Sequence, residues 1–524
     1  MLSHLATLAG LLCLSVAQST QAPVVDLEYS QYQGYYDPDF DLNIYKGIRY
    51  AAAPLGKLRW QLPQTPTTNR TQVIQATENP RSALNRVLDP AEKGSRGPLS
   101  TEDCLFLSLY APEKATKLPV LVWIRSIGEY DFRQQLPANN NSYIIVGIQY
   151  RLGAFGFLSS GDVAHNGVPN AAIHDMRFAL QWVQKYIHLF GGDPSQVTIA
   201  GESAGGGAVM LLAMAEGGSD EPLFNGVISA SPYLPTQWDY SDTQPSESYY
   251  RFAQEVGCLT DEIAANGSVF DCLVSQDSAT LQTASDAVSA SGRYGQWAFI
   301  PVTDGTLIKE RPSVQLLSGE VNGIRVLTSN NLNEGAVFTP QNVKSEDAFK
   351  NFLLINYPLL SPENMTSILD LYGLPHDATD VFVDSNGLSP PFSTTNSEYG
   401  VGWQQVANNF YAEATFVCPS YWLADAYTKR SGSIGKKAKA WHYQYSASPA
   451  SHGNDVPPVF NMQIPAVANM PKDFLDGLQH TWGNFIVHGV PSLSPVESFV
   501  PPGSCLPPPS TAAPPPRSLL MLLP

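Results

Sequence analysis

The sequence predicts an α/β fold built on one large, mostly parallel sheet flanked by helices, and four stretches carry that expectation. Gln196-Val197-Thr198-Ile199-Ala200 is β-branched and apolar, like a buried strand; Gly201-Glu202-Ser203-Ala204-Gly205 then turns sharply, and Ala208 to Met214 is a helical run. Asp175-Met176-Arg177 opens an amphipathic helix predicted to reach Leu189, stopped by the Gly and Pro of Phe190-Gly191-Gly192-Asp193-Pro194. Ile324-Arg325-Val326-Leu327-Thr328 repeats the strand signature before the turn-rich Ser329 to Gly335, and Val120-Leu121-Val122-Trp123-Ile124 is a further apolar strand.

The 524 residues contain no internal linker, so residues 24–496 are expected to form a single catalytic domain. Leu5 to Ala17 is apolar, too short to span a bilayer, and ends on the small residues Ser15-Val16-Ala17, so 1–17 is expected to be a cleaved signal peptide. The triplets starting at Asn69, Asn140, Asn266 and Asn364 are N-glycosylation acceptors and agree with a secreted, extracellular protein. A net charge of −17 opposes binding to nucleic acid or anionic membranes, and no apolar run is long enough for an integral membrane helix. No Cys/His cluster has zinc spacing, so no metal is expected. Of six cysteines, Cys258 and Cys272 are expected to close a small ring, Cys13 leaves with the signal, and Cys104, Cys418 and Cys505 remain as an odd set. Residues 497–524 are Pro-rich and of low complexity, and are expected to be a disordered tail.

Strand, sharp turn and helix around Gly201 to Gly205 is the context that a G-x-S-x-G nucleophile elbow requires. Glycines flank the serine because the turn crowds strand against helix, and Ala204 supplies a helix-starting N–H for a developing oxyanion. On such a fold an acid and then a histidine follow the serine along the chain, from loops at the carboxyl ends of parallel strands. Glu334, just beyond a predicted strand, is the candidate acid, with a solvated loop carboxylate as the competing reading. Five histidines follow it. His442 alternates with aromatics on a strand, and His480 and His488 belong to a packed helix over Asp473 to Val487; His452 lies in the flexible turn Ser451-His452-Gly453-Asn454-Asp455 and is the candidate base. The chemistry expected of Ser203, His452 and Glu334 is acyl transfer to water, which needs no cofactor.

The chain resembles the type-B carboxylesterases, the cholinesterase-like branch of the α/β-hydrolases, and especially their fungal secreted members. The resemblance runs from about Val24 to Ser492. It is carried by Tyr45-Lys46-Gly47-Ile48-Arg49-Tyr50-Ala51, Glu102-Asp103-Cys104-Leu105-Phe106-Leu107, Gln149 to Phe157, and Asn170 to Gly207. It implies an α/β-hydrolase fold, small carboxylic esters as substrates, and the roles of nucleophile, acid and base for Ser203, Glu334 and His452. It also places the family's second disulfide on Cys258 and Cys272. Oligomeric state is not implied.

Three departures qualify that resemblance. The family's His-Gly-Gly-Gly, whose glycine N–H groups complete the oxyanion hole, is replaced here by Arg125-Ser126-Ile127-Gly128. Read as substitution, Gly128 keeps one donor beside Ala204; read as deletion, which the early arrival of Asn139-Asn140-Asn141-Ser142 favours, several residues are gone. Losing one donor costs about 10²- to 10³-fold in turnover. Cys104 lacks its upstream partner, and the family's last elements give way to the Pro-rich tail, so C-terminal elements of the fold are expected to be missing. Misdrawn intron boundaries would account for both the loop and the tail. The leading function is therefore a secreted serine esterase, and the alternative is a catalytically impaired binding protein of the same fold. A choline ester is disfavoured because no Trp lies between Trp60 and Trp123 to offer a cation–π face. Trp238, Tyr294 and Trp297 are available to an apolar pocket, with core or surface packing as the competing reading of each.

Overall fold

The computed structural model describes residues 21–80, 101–124, 131–218, 222–372, 396–430 and 438–493, apart from 262, 264–266, 292–294, 296, 398 and 463. The predicted signal peptide, Gly128, Asn266, Tyr294, His376 and the 497–524 tail lie outside the described residues.

The strands are β1 (Gln21–Asp26), β2 (Gln31–Asp37), β3 (Leu42–Arg49), β4 (Val73–Gln75), β5 (Phe106–Pro112), β6 (Leu118–Ile124), β7 (Ile144–Ile148), β8 (Gly192–Glu202), β9 (Gly226–Ala230) and β10 (Arg325–Asn331), then a short hairpin of β11 (Asn396–Ser397) and β12 (Gly400–Val401), and finally β13 (Lys439–Tyr445). All except the hairpin join one sheet in the order β1-β2-β3-β5-β7-β6-β8-β9-β10-β13, with β4 beside β2. From β7 to β13 every pairing is parallel, as expected. The pairings from β1 through β5 to β7 are antiparallel. Short connections such as that between β2 and β3 leave no room for a crossover helix, so these strands return directly.

Strand alternation divides the core between two faces. Val120, Val122 and Ile124 of β6 pack with the helices Ala171–Tyr186 and Ala204–Met214, while Leu121 and Trp123 face Phe460 and the helix Lys472–His488. Both faces being covered explains why the parallel strands read as continuous apolar runs.

The helix predicted from Asp175 begins instead at Ala171. Asn170 takes a left-handed backbone (φ 56°), and its side-chain amide donates to Val302 O at 2.8 Å and Asp304 Oδ2 at 2.6 Å, which fixes the entry. The helix ends at Tyr186 and tightens to 3₁₀ over Ile187–Phe190. Gly191 stops it at φ 84°, where a Cβ would stand 2.3 Å from Ala115 O. Strand β10 also outruns its prediction, because pairing with β13 continues to Asn331 opposite Tyr445.

Asp175 lies inside the first turns of the helix Ala171–Tyr186. It is 0 % exposed and paired with Arg151, itself 2 % exposed, through contacts of 2.6 and 2.7 Å. Glu102 and Asp103, adjacent in sequence, each take an arginine in a two-pronged pair, Arg59 and Arg49 respectively. Arg59 also donates to Val274 O, tying this loop to the segment closed by the Cys258–Cys272 disulfide. Cys104 and Cys418 are buried free thiols, and burial pushes both pKa values up, which keeps them unreactive.

Replacing one member of a fully buried ion pair strands the other charge, at about 3–5 kcal/mol. Arg151→Met is therefore expected to lower stability by about that much in denaturant unfolding, and Arg151→Met with Asp175→Leu to recover most of it. A single variant as stable as the parent would remove the pair from the determinants of the fold.

Candidate active site

Strand β8 ends at Glu202 and the helix Ala204–Met214 begins two residues later, so the turn falls on Ser203 alone. Its backbone sits at φ 57° and ψ −122°, a sparsely populated combination for a residue with a Cβ. Ser203 N donates to Ala230 O at 3.1 Å, and Ser203 O accepts from Gly207 N and Tyr233 N, both at 2.9 Å. A Cβ on Gly201 would lie 2.5 Å from the carbonyl of Gly205, the crowding expected of the motif. The next two glycines, which the motif does not specify, are as constrained. Cβ atoms on Gly206 and Gly207 would meet Ala230 O at 2.5 Å and Tyr233 O at 2.2 Å.

Glu334 and His452 come together through the register of two parallel strands. Beyond the end of β10 and β13, Leu332 N still donates to Tyr445 O at 3.0 Å and Asn333 N to Ala450 O at 2.9 Å, and Asn333 bridges Ser451. The next residue on each side is Glu334 and His452. His452 Nε2 lies 2.8 Å from Ser203 Oγ, and His452 Nδ1 is hydrogen-bonded to Glu334 Oε2. The three predicted side chains thus form one relay.

Glu334 is fully buried, not the solvated loop carboxylate of the competing reading. Its other oxygen accepts from Ser231 Oγ at 2.6 Å and from Asn331 N at 2.5 Å, leaving Oε2 to the imidazole. Asn331 Nδ2 also donates to Asp455 Oδ1 at 3.1 Å, and Asp455 Oδ2 accepts from Tyr443 OH at 3.0 Å and Ser329 Oγ at 3.2 Å. A further carboxylate, Glu202, reaches within 3.3 Å of His452 Nε2. Phe416 and Phe338 pack on the imidazole, with ring centroids 4.4 and 5.0 Å away. Phe416 is delivered by a π-helical turn, Glu413–Val417, between the helices Trp403–Ala412 and Cys418–Lys429.

Burial alone would push the His452 pKa down, but the Glu334 carboxylate on Nδ1 outweighs it, Glu202 and Asp455 add to the effect, and the pKa rises to about 9. The folded-state value being raised, this contribution to stability is present in full below the ordinary value of 6.5 and is lost as pH rises through about 9. Burial pushes Asp455 up, and the neighbouring Glu334 charge adds to that.

The other histidines are elsewhere. His442 is buried on β13, with Nε2 3.0 Å from Ser420 Oγ and its ring stacked on Tyr421, and burial pushes its pKa down to about 3. His480 Nε2 lies 3.0 Å from Ala138 O, and His488 is the last residue of its helix. Among the described residues no group of His, Cys, Asp and Glu could hold a metal ion. Ala204 is exposed at the start of the helix, where the first N–H groups have no partner in the helical ladder.

Ser203 opens into a cavity of about 570 Å³. Its lining is mainly apolar and includes the exposed Trp297, whereas Trp238 is buried and not part of it. Glu202 was visible inside the motif. Ser231, Asn331, Asp455 and Phe416 carry no local sequence signal, because each acts only through a contact across the fold.

A sheet of this kind, with a serine elbow after a central parallel strand and its partners on the loops after later strands, defines an α/β-hydrolase. Within that class the chain belongs to the carboxylesterase family, whose sequence model matches residues 21–502. It is 28% identical over 551 residues to carboxylesterase patB of Aspergillus clavatus, across 94% of this chain and 92% of that protein. Lipase 2 of Geotrichum candidum is 31% identical over 378 residues, across 63% of this chain and 66% of that protein. Among solved structures, Aspergillus niger EstA superposes with a TM-score of 0.73 at 27% identity, covering 90% of this chain and 89% of that one. The resemblance read from the sequence motifs is borne out.

Removing the charge of Glu202 takes away one of the groups that raise the His452 pKa. In Glu202→Gln, NMR titration of the His452 ring is expected to move to lower pH. An unmoved midpoint would show that Glu202 is not coupled to the imidazole.

Proposed function

We propose that this protein is a secreted serine esterase that hydrolyses small carboxylic esters through an acyl-enzyme intermediate. The observation that carries the reading is the single imidazole bridging Ser203 Oγ and Glu334 Oε2. Family membership supports carboxylic ester hydrolysis; the triad roles and the intermediate are inferred from the geometry.

In this mechanism His452 Nε2 takes the Ser203 hydroxyl proton as Oγ bonds to the ester carbonyl carbon. The carbonyl π electrons move onto oxygen, and the resulting oxyanion accepts the Ala204 N–H, with Gly128 as the second donor proposed from sequence. The imidazolium, held in its tautomer by Glu334, returns its proton to the leaving alkoxide as the C–O bond breaks. Water then repeats the sequence on the acyl-enzyme, with His452 as base, releasing the acid and restoring Ser203. No cofactor enters these steps.

Secretion is supported by the apolar N-terminal run with its small-residue end, and by acceptor triplets at Asn69 and Asn140, both exposed. A relative named as a secreted lipase, from Arthroderma benhamiae, is 27% identical over 414 residues. No helix among the described residues is long and apolar enough to cross a membrane. The replaced His-Gly-Gly-Gly stretch favours the second reading, a binding protein with an idle triad.

Hydrolysis of p-nitrophenyl butyrate by the mature protein is expected to fall about 10⁴- to 10⁶-fold in Ser203→Ala, and a serine-directed phosphonate to label the parent alone. Because His452 must be neutral to act as base, the rate is expected to fall as pH is lowered through about 9. Equal rates in parent and variant, both folded by circular dichroism, would favour the binding protein.

A further inference from the structure

Glu334 and Asp455 are fully buried carboxylates on loops that follow different strands. Among the described residues neither is paired with a lysine or arginine. Two such groups close together drive a proton onto one of them unless neutral donors hold both as anions. The donors are divided unevenly. Glu334 keeps three without the Asn331 side chain: Ser231 Oγ and Asn331 N on Oε1, and His452 Nδ1 on Oε2. Asp455 Oδ2 accepts from Tyr443 OH and Ser329 Oγ. Asp455 Oδ1 has one protein donor among the described residues, Asn331 Nδ2 at 3.1 Å.

The same nitrogen lies 3.1 Å from Ser231 Oγ, the hydroxyl that donates to Glu334, and 3.4 Å from Glu334 Oε1. Asn331 ends β10 and is 0 % exposed, so its amide cannot turn out to water. Which end of the amide faces the acids follows from their charge. Rotated by 180°, Oδ1 would set lone pairs against two carboxylates and supply neither with a donor. In the orientation observed, Oδ1 is buried with no donor among the described residues. An orphaned neutral carbonyl is the smaller cost when the nitrogen serves a charged acceptor.

Asp455 reaches the chemistry through its charge. It follows His452 by three residues in the turn after β13. Burial disfavours the protonated imidazole, and charge on Glu334, Glu202 and Asp455 favours it. The other titratable groups facing Asp455, Tyr443 and Tyr445 of β13, are phenols that burial holds neutral.

We propose that the side chain of Asn331 is a positioning residue for the reaction: its amide keeps Asp455 an anion distinct from Glu334, and through that charge it sets the proton affinity of His452. The role in turnover rests on the esterase reading of Ser203, whereas the effect on the imidazole does not.

The test is Asn331→Leu in the full chain, which keeps the side-chain size and the backbone N–H on Glu334 while removing both amide hydrogens. A hydrogen bond to a charged acceptor is worth about tenfold or more in acidity, so Asp455 should take up a proton in this variant. The NMR titration midpoint of the His452 ring should then fall by about half a unit or more. The midpoint of the pH profile of kcat for p-nitrophenyl butyrate should fall with it, while KM stays within about twofold. Asp455→Asn removes the same charge and should lower both midpoints alike, and the double variant should go no further than either single one. Asn331→Ser, whose short hydroxyl does not reach Asp455, gives the same reading should the leucine variant fail to fold. Midpoints left in place by Asn331→Leu or Asn331→Ser, even with a lowered unfolding temperature, would overturn the proposal by reducing Asn331 to packing. So would an unmoved midpoint in Asp455→Asn, or shifts that add in the double variant. The ring titrations need no turnover, so shifted midpoints in a protein that hydrolyses no ester would support the coupling and remove only the esterase reading.

Discussion

The backbone of Ser203 is the constraint on which the rest of the site depends. A φ of 57° with ψ of −122° is disfavoured by about 1–3 kcal/mol for a residue with a side chain, and it persists only where the surroundings over-determine it. Here they do. Strand β8 is held in the sheet between β6 and β9, so the chain enters the turn from a fixed direction. The helix leaves against the β9 loop at a distance that admits no Cβ on Gly206 or Gly207. Both backbone polar groups of Ser203 are hydrogen-bonded. Relaxing the turn would break these contacts together, so the strain stays local. Its outcome is chemical: Oγ is lifted clear of the sheet edge while the first free N–H groups of the helix stay beside it.

The second device is electrostatic. Three carboxylates, Glu334, Glu202 and Asp455, surround one imidazole in a region nearly closed to water. Three negative charges so close would repel one another unless each were held by donors. Ser231 and Asn331 hold Glu334, and Asn331, Tyr443 and Ser329 hold Asp455. Asn331 belongs to both sets and fixes the spacing between the two acids. The arrangement favours the imidazolium, which is the species formed as a tetrahedral intermediate develops. It also favours the protonated ring at rest, which is the wrong state for a base.

Much of this was legible because the decisive signals are local. The elbow is a contiguous strand, turn and helix; Glu334 and His452 each follow a strand, and the order of the three residues narrowed the search. The antiparallel strands β1, β2, β3 and β5 were not read, since polar residues such as Gln31, Gln33 and Asn43 interrupt their apolar pattern. The pairing of Asp175 with Arg151 was not read either, because the two are remote from each other in the chain. Asn331 could not be found from sequence at all. Its importance comes from lying where β10 ends, beside Ser231 just after β9 and Asp455 in the loop after β13, and no window of residues contains that juxtaposition.

The glycines and alanines of the nucleophile helix serve two ends of the molecule at once. Gly206 and Gly207 let the helix close on the backbone that follows β9, which secures Ser203. On the face that lines the cavity, Ala204 and Ala208 carry only methyl groups. A helix filled with larger residues there would pack the core more tightly and lose both. The cavity is therefore cut into the hydrophobic cluster that covers one face of the sheet, and its walls are Leu211 and Met176 of that cluster. An apolar wall beside the serine lowers the local dielectric, so in the proposed mechanism an oxyanion at the Ala204 N–H and an imidazolium between two carboxylates would interact more strongly than in water. The packing that holds the strained turn and the environment that strengthens its chemistry have one origin, the small side chains that follow Ser203.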